Sequence, residues 1–219
     1  ATVIPISPDL ATEDIIYILK HSEAKIAFVE NDNEIEKLSK YKSELNLLET
    51  FISIKKLPNT NQETHFKLLS YRELITHGNK FVTTNPKLFL ENINNQLPDN
   101  IASIIYTSGT TGRPKGAVIK HSAFIQMFKN VKSAFTGIFT EHDTILTFLP
   151  LSHIMGRMDS LLIIPFGNIN IYSESRERLM SDFKIARPTV FLGVPRIFEK
   201  IYTEVINQIN EKGIIGQLL

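Results

Sequence analysis

The stretch Tyr106-Thr107-Ser108-Gly109-Thr110-Thr111-Gly112-Arg113-Pro114-Lys115-Gly116 combines four Ser/Thr hydroxyls, three glycines and one lysine, with no carboxylate among them. Glycine lets a backbone turn tightly and come close to a ligand. Successive N–H groups exposed in such a turn form a concave anion site. The hydroxyls add further donors, and Lys115 adds a compact positive charge. Polyphosphate binding is the chemistry this set suits. The order of the residues excludes two other phosphate loops. A Walker A loop needs Gly-Lys-Ser/Thr after a fixed gap, whereas here Pro114 precedes the lysine and Gly116 follows it. The dinucleotide pattern G-x-G-x-x-G is absent. A flexible surface loop has a similar composition, but it would not need this order between two strands.

Those strands are legible. Ile101–Tyr106 is an apolar strand that runs directly into the loop, and Ala117–Ile119 reads as a return strand. His121–Phe135 is predicted as an amphipathic helix with Phe124, Phe128, Val131 and Phe135 on one face. Upstream, Val3–Ile6 reads as a strand and the run from Thr12 to His21 as a helix with Glu13 and Asp14 in its first turn. Lys25–Glu30 reads as a strand, Asn33–Lys42 as a charged helix and Thr50–Lys55 as a further strand. This alternation predicts an α/β fold with a mostly parallel sheet and helices on both faces. Residues 57–64 read as a polar surface loop, and Tyr71–His77 as a short helix ended by Gly78. The Asn-rich stretch Phe81–Asn100 receives no element. Downstream, strands are predicted at Thr144–Leu149, Ile169–Tyr172 and Thr189–Leu192. A final helix opens at Pro195 and runs to about Lys212, before Gly213.

The bulk properties remove other function classes. The chain has 219 residues, 42% hydrophobic and 21% charged, a globular composition, and its net charge of +1 marks no nucleic-acid partner. Without cysteine there is no disulfide, thiolate metal site or catalytic thiol. The six histidines have no zinc-ligand spacing, so no metal site is expected among the residues present. The longest apolar stretch, Leu161–Phe166, is too short to cross a bilayer, and no signal peptide opens the sequence. A cytoplasmic protein is expected, with membrane association limited to peripheral contact. A start at Ala1, already inside a predicted strand, reads as the edge of a longer chain.

The loop YTSGTTGRPKG resembles the signature loop of the adenylate-forming superfamily, which includes acyl-CoA synthetases, peptide-synthetase adenylation domains and beetle luciferases. The resemblance implies that Thr107, Ser108, Gly109, Thr110, Thr111, Gly112 and Lys115 contact the β- and γ-phosphates of ATP and help pyrophosphate leave, by stabilising the charge that builds there. It also implies that the chain is part of the large N-terminal domain of such an enzyme. Residues 1–98 and 99–219 would then be two β/α subdomain portions of one incomplete AMP-binding domain.

A second segment, Leu149-Pro150-Leu151-Ser152-His153-Ile154-Met155-Gly156-Arg157, resembles the family's next motif, in which a histidine or aromatic ring lies near the carboxylate end of the acyl site. By itself His153 reads as an ordinary helix-start residue. Its place after LPLS, downstream of the phosphate loop, implies the acyl-site role. A third, PTVFLGVPRIFEKIY from Pro188 to Tyr202, resembles the long-chain fatty acyl-CoA synthetase branch, where the glycine turn would border the acyl tunnel at Gly193. Arg196, Glu199 and Lys200 read as a solvated helix face. The opening VIPISPDLATEDIIYILKHSEAKIAFVEN fits the same branch as scaffold.

The implied function is that of an ATP-dependent long-chain fatty acid–CoA ligase. ATP, Mg2+ and coenzyme A would serve it, and the Mg2+ ligand is expected outside this chain. The family's tyrosine-glycine-x-threonine-glutamate and threonine-glycine-aspartate segments do not follow Tyr202. The chain alone is therefore expected to be inactive, and apolar surface left bare suggests homodimerisation. Two alternatives stay open: a fatty acyl-AMP ligase or carrier-protein-loading adenylation domain, and a non-catalytic nucleotide- or phosphate-binding module. Nothing positive favours a purely structural or partner-binding domain.

Overall fold

The computed structural model describes residues 1–55, 65–107, 112–175 and 177–211. The chain divides into two compact units, Ala1–Ile125 and Gln126–Leu219. This division falls inside a helix and does not coincide with the one read from the sequence at 98/99.

The first unit opens with Val3, which pairs with Ser103 as an isolated parallel bridge where a full strand Val3–Ile6 was expected. The prolines at 5 and 8 remove ladder donors on either side of Ile6. Helix α1 (Thr12–His21) begins with Glu13 and Asp14 and ends with Lys20 and His21, each sign at the terminus whose dipole favours it. Strand β1 (Ile26–Val29) leads to α2 (Asp32–Ser39), which starts with a capping box between Asn31 and Glu34. Strands β2 (Thr50–Ser53) and β3 (Lys67–Ser70) complete a parallel sheet of order β1-β2-β3. Strand β3 is too short and polar to stand out in the sequence. The polar loop expected at residues 57–64 lies outside the described residues.

Phe51 is the centre of this sheet, 0% exposed, with its ring edge-on to Phe66 at 5.0 Å. Ile16 and Leu19 of α1, Ile35 and Leu38 of α2, and Val29 of β1 pack in the same core. Ile52, on the opposite face of β2, is buried as well. Burial on both faces is the signature of a central strand in a parallel sheet.

Helix α3 (Tyr71–Thr84) runs through Gly78 and is longer than predicted. Its start is fixed by reciprocal bonds between Ser70 and Glu73, and a mid-helix glycine costs only about 1 kcal/mol. Asn85 closes it, and Pro86 reopens the chain as α4 (Pro86–Asn94), in the stretch given no element from sequence. Both helices leave large apolar side chains exposed, among them Phe81, Phe89 and Leu90. Strands β4 (Ile101–Thr107) and β5 (Lys115–Lys120) pair antiparallel, and α5 (His121–Ala134) follows.

In the second unit, β6 (Thr144–Thr147) leads to α6 (Ile154–Leu161) and the short α7 (Ile163–Phe166). Strand β7 (Ile169–Tyr172) pairs parallel with β6. Helices α8 (Leu179–Ala186) and α9 (Pro195–Glu211) complete the unit, with Pro195 in the first turn as predicted. The strand predicted at Thr189–Leu192 is reduced to one bridge, Val190 to Ile145. Arg187 in the left-handed region and Pro188 stop the chain from entering the sheet earlier. Ile145, Phe139 and Leu162 form the local core, with Met127, Val131, Phe166 and Val190 against it. Three of the four strand pairings among the described residues are parallel, so the α/β reading stands.

Replacing Phe51 by Ala should destabilise the chain by about 3–5 kcal/mol, while Phe28→Ala, at a ring 56% exposed on the outer face of β1, should cost about 0.5 kcal/mol or less. Urea midpoints of the two variants check this, and equal losses would place the core wrongly.

Candidate functional site

The ladder β4–β5 sets the ends of the predicted phosphate loop. Its register pairs Tyr106 with Gly116 and, on the last rung, Thr107 with Lys115. Thr107 and Lys115 thus stand opposite one another at the mouth of the hairpin, both exposed. Gly112 is exposed with a φ of +129°, a conformation that side-chain-bearing residues rarely adopt. Ser108, Gly109, Thr110 and Thr111 lie outside the described residues.

The shoulders of the loop rest on α1. The Tyr106 hydroxyl is 2.7 Å from His21 Nδ1. Partial burial pushes the Tyr106 phenol up from its ordinary value, so it keeps its proton. On the other side, the Arg113 guanidinium lies over the Tyr17 ring, 5.3 Å from its centroid. Gly116 is required by close approach: a Cβ there would stand 2.8 Å from Ile104 Cγ2 and 3.2 Å from Tyr106 Cζ.

His153 is the N-cap of α6, exposed, with extended backbone and no side-chain capping bond. Its ring is therefore not consumed in closing the helix. Helix α6 sits hard against the turn before it. A Cβ at Gly156 would meet the Pro150 carbonyl oxygen at 2.4 Å, so only glycine permits the approach. Gly193 lies against the rings of Phe191 and Phe198, at 2.8 and 3.0 Å from a notional Cβ. Phe191 in turn stacks on Phe148 at 5.1 Å and meets Phe183 at 4.7 Å, so an apolar aromatic wall surrounds this turn.

Two groups in this region were not picked out from sequence. Asp159 on α6 is 0% exposed, and no hydrogen bond of ordinary geometry reaches either carboxylate oxygen. Burial pushes its pKa up to about 6, and the Thr147 hydroxyl, close by, offsets this a little. Arg157, two residues earlier, is half-buried with its Nε unpartnered, and desolvation lowers its pKa. The signal in the sequence was a carboxylate two residues after an arginine on the short helix IMGRMDSL. Among the described residues no group of three His, Asp or Glu side chains is placed to hold a metal ion.

The model of the AMP-binding enzyme family matches residues 1–214. Long chain acyl-CoA synthetase 6, peroxisomal, of Arabidopsis thaliana is 35% identical over 167 residues, 76% of this chain and 22% of that protein. A human long-chain-fatty-acid–CoA ligase is 32% identical over 194 residues, 86% of this chain and 28% of that protein. The chain thus spans less than a third of the length of these relatives. Among solved structures, the A-PCP didomain of a carboxylic acid reductase from Segniliparus rugosus, in complex with AMP, matches 97% of this chain and 31% of that one, with a TM-score of 0.73 at 19% identity. A luciferase-like enzyme from Zophobas morio matches 89% of this chain and 42% of that one, with a TM-score of 0.59 at 18% identity. These two likenesses establish the fold.

Asp159 binds its proton more tightly folded than unfolded, where its pKa is 3.8. The stabilisation is therefore full below about pH 4 and is lost as pH rises through 6. Asp159→Asn should be more stable than the parent at pH 7–8 by up to about 3 kcal/mol, with the gain shrinking towards zero at pH 4. Paired urea titrations from pH 4 to 8 test this, and a pH-independent difference would contradict it.

Proposed function

Because the chain belongs to the AMP-binding enzyme family, we propose that it is part of an ATP-dependent long-chain fatty acid–CoA ligase. In this reaction a fatty carboxylate attacks the α-phosphorus of ATP, giving acyl-AMP and pyrophosphate. The thiol of coenzyme A then attacks the acyl carbonyl and releases AMP. The observation that carries the reading is the last rung of the β4–β5 ladder, where Thr107 and Lys115 face each other across the ends of a Gly/Ser/Thr loop. The names and identities of the matched long-chain acyl-CoA synthetases support the substrate class.

In this assignment Thr107, Ser108, Gly109, Thr110, Thr111, Gly112 and Lys115 bind the ATP phosphates. Lys115 places a full positive charge where pyrophosphate charge develops. His153, with its ring free of the α6 cap, lies at the carboxylate end of the acyl site. Gly193, set among phenylalanine rings, borders the acyl channel, and the aromatic wall supports that reading. Mg2+ is supplied with a carboxylate from elsewhere in the longer protein. Within that protein we assign residues 1–98 and 99–219 to two subdomain portions of one AMP-binding domain. The lipid substrate brings peripheral membrane contact. No helix among the described residues is long and apolar enough to cross a membrane.

Calorimetric titration of ATP and pyrophosphate into the chain and into Lys115→Ala tests the phosphate assignment. The lysine variant should bind about tenfold or more weakly, the effect of one charge-assisted hydrogen bond. Equal affinity in the two proteins would remove Lys115 from the site. The chain alone should release no pyrophosphate in response to fatty acid, because positioning and electrostatic stabilisation need every wall of the site. Measurable release would overturn that expectation.

A further inference from the structure

Four residues outside the signature contacts meet in one network. On α1, the rings of Tyr17 and His21, four positions apart and so on one helix face, lie 5.3 Å from each other. Tyr106, the last residue before the loop's first expected phosphate contact, sets its ring edge-on to His21 at 5.8 Å and its hydroxyl 2.7 Å from Nδ1. Arg113, just after Gly112, lies over Tyr17 at 5.3 Å. The two shoulders of the loop thus dock on one face of one helix. The Tyr106 ring is pressed into place from below as well, because it covers the Cα of Gly116 so closely that a Cβ there would meet its Cζ at 3.2 Å.

We propose that Tyr17 and His21 are positioning residues for ATP, acting through Tyr106 and Arg113 to fix the orientation of the phosphate-binding hairpin. The proposal rests on the phosphate-loop reading above. The ladder fixes how far apart Thr107 and Lys115 stand, and Val3 pairs beside β4 at the end of the strand remote from the loop. The attachment on α1 holds the loop's shoulders themselves. His21 is exposed and Tyr106 only half-buried, so their bond contributes little to global stability and its effect falls on orientation.

The test is steady-state kinetics of the full-length ligase. His21→Ala and Tyr106→Phe should each raise KM for ATP about fivefold to tenfold, the effect of one lost hydrogen bond, with KM for fatty acid unchanged. Tm should move by about 2 °C or less for either variant. His21→Asn, whose amide reaches the position of Nδ1, should restore most of the ATP affinity. Gly116→Ala, which displaces the Tyr106 ring, should raise KM for ATP as well, and adding His21→Ala should then cost little more. An unchanged KM for ATP in His21→Ala, or parallel changes in both KM values and in Tm, would overturn the proposal. Lys115→Ala is the control. If it leaves KM for ATP unchanged, the phosphate-loop reading has failed. If it raises KM while His21→Ala does not, only the positioning role has failed.

Discussion

A polyphosphate site made largely of backbone amides works only if both ends of its loop are held, because the amides have no side-chain reach with which to correct an error of position. In the proposed phosphate-loop reading, that constraint falls to the β4–β5 ladder, six residue pairs long, ending on Thr107 and Lys115. The rest of the first unit serves that hairpin. Val3 pairs alongside β4, donating its N–H to Ala102 and accepting from the Ser103 hydroxyl and the Ile104 N–H. Helix α1 meets the shoulders, and the three-stranded sheet buries the other face of α1 through Ile16 and Leu19. The parallel sheet thus gives α1 a fixed place beside the hairpin's shoulders.

The loop proposed to bind phosphate stood out in the sequence as an ordered Gly/Ser/Thr run with one lysine, and the strands read on either side of it pair as β4 and β5. Strands such as Ile101–Tyr106 and helices such as Thr12–His21 showed themselves by apolar pattern and terminal charge. Elements whose stability comes from local bonds with little burial were missed. Helix α3 reads past its glycine because Ser70 and Glu73 fix its start, and α4 follows a proline restart in a stretch that looks unstructured by composition. The His21–Tyr106 contact was invisible, because the two residues are 85 positions apart and neither is unusual alone. Gly116 was read as backbone freedom for the loop, whereas the space beside its Cα is filled by Tyr106.

Two aspartates of the second unit show how environment divides one residue type. Asp143 accepts from the Thr189 hydroxyl and from the Thr140 N–H, and these donors hold its carboxyl below the ordinary range. It ties the turn before β6 to the segment that bridges β6 at Val190. Asp159 is buried with only the Thr147 hydroxyl close by, and its carboxyl moves the other way. The first carboxylate is part of the scaffold's bonding. The second is a desolvated acid on α6.

The bridge between Val3 and Ser103 spans 100 positions, and α1 lies near its start. The hairpin β4–β5 is local and can close on itself within about 1–10 μs. At about 5–20 residues per second of synthesis, α1 is made roughly 4–17 s before Tyr106 exists. During that interval the helix face that carries Tyr17 and His21 has no loop to hold. The order of synthesis thus brings out the hairpin after α1, so that it docks on a support already made. In the proposed reading, misfolding that traps α1 early would spoil the nucleotide site without touching a single residue assigned to the phosphates.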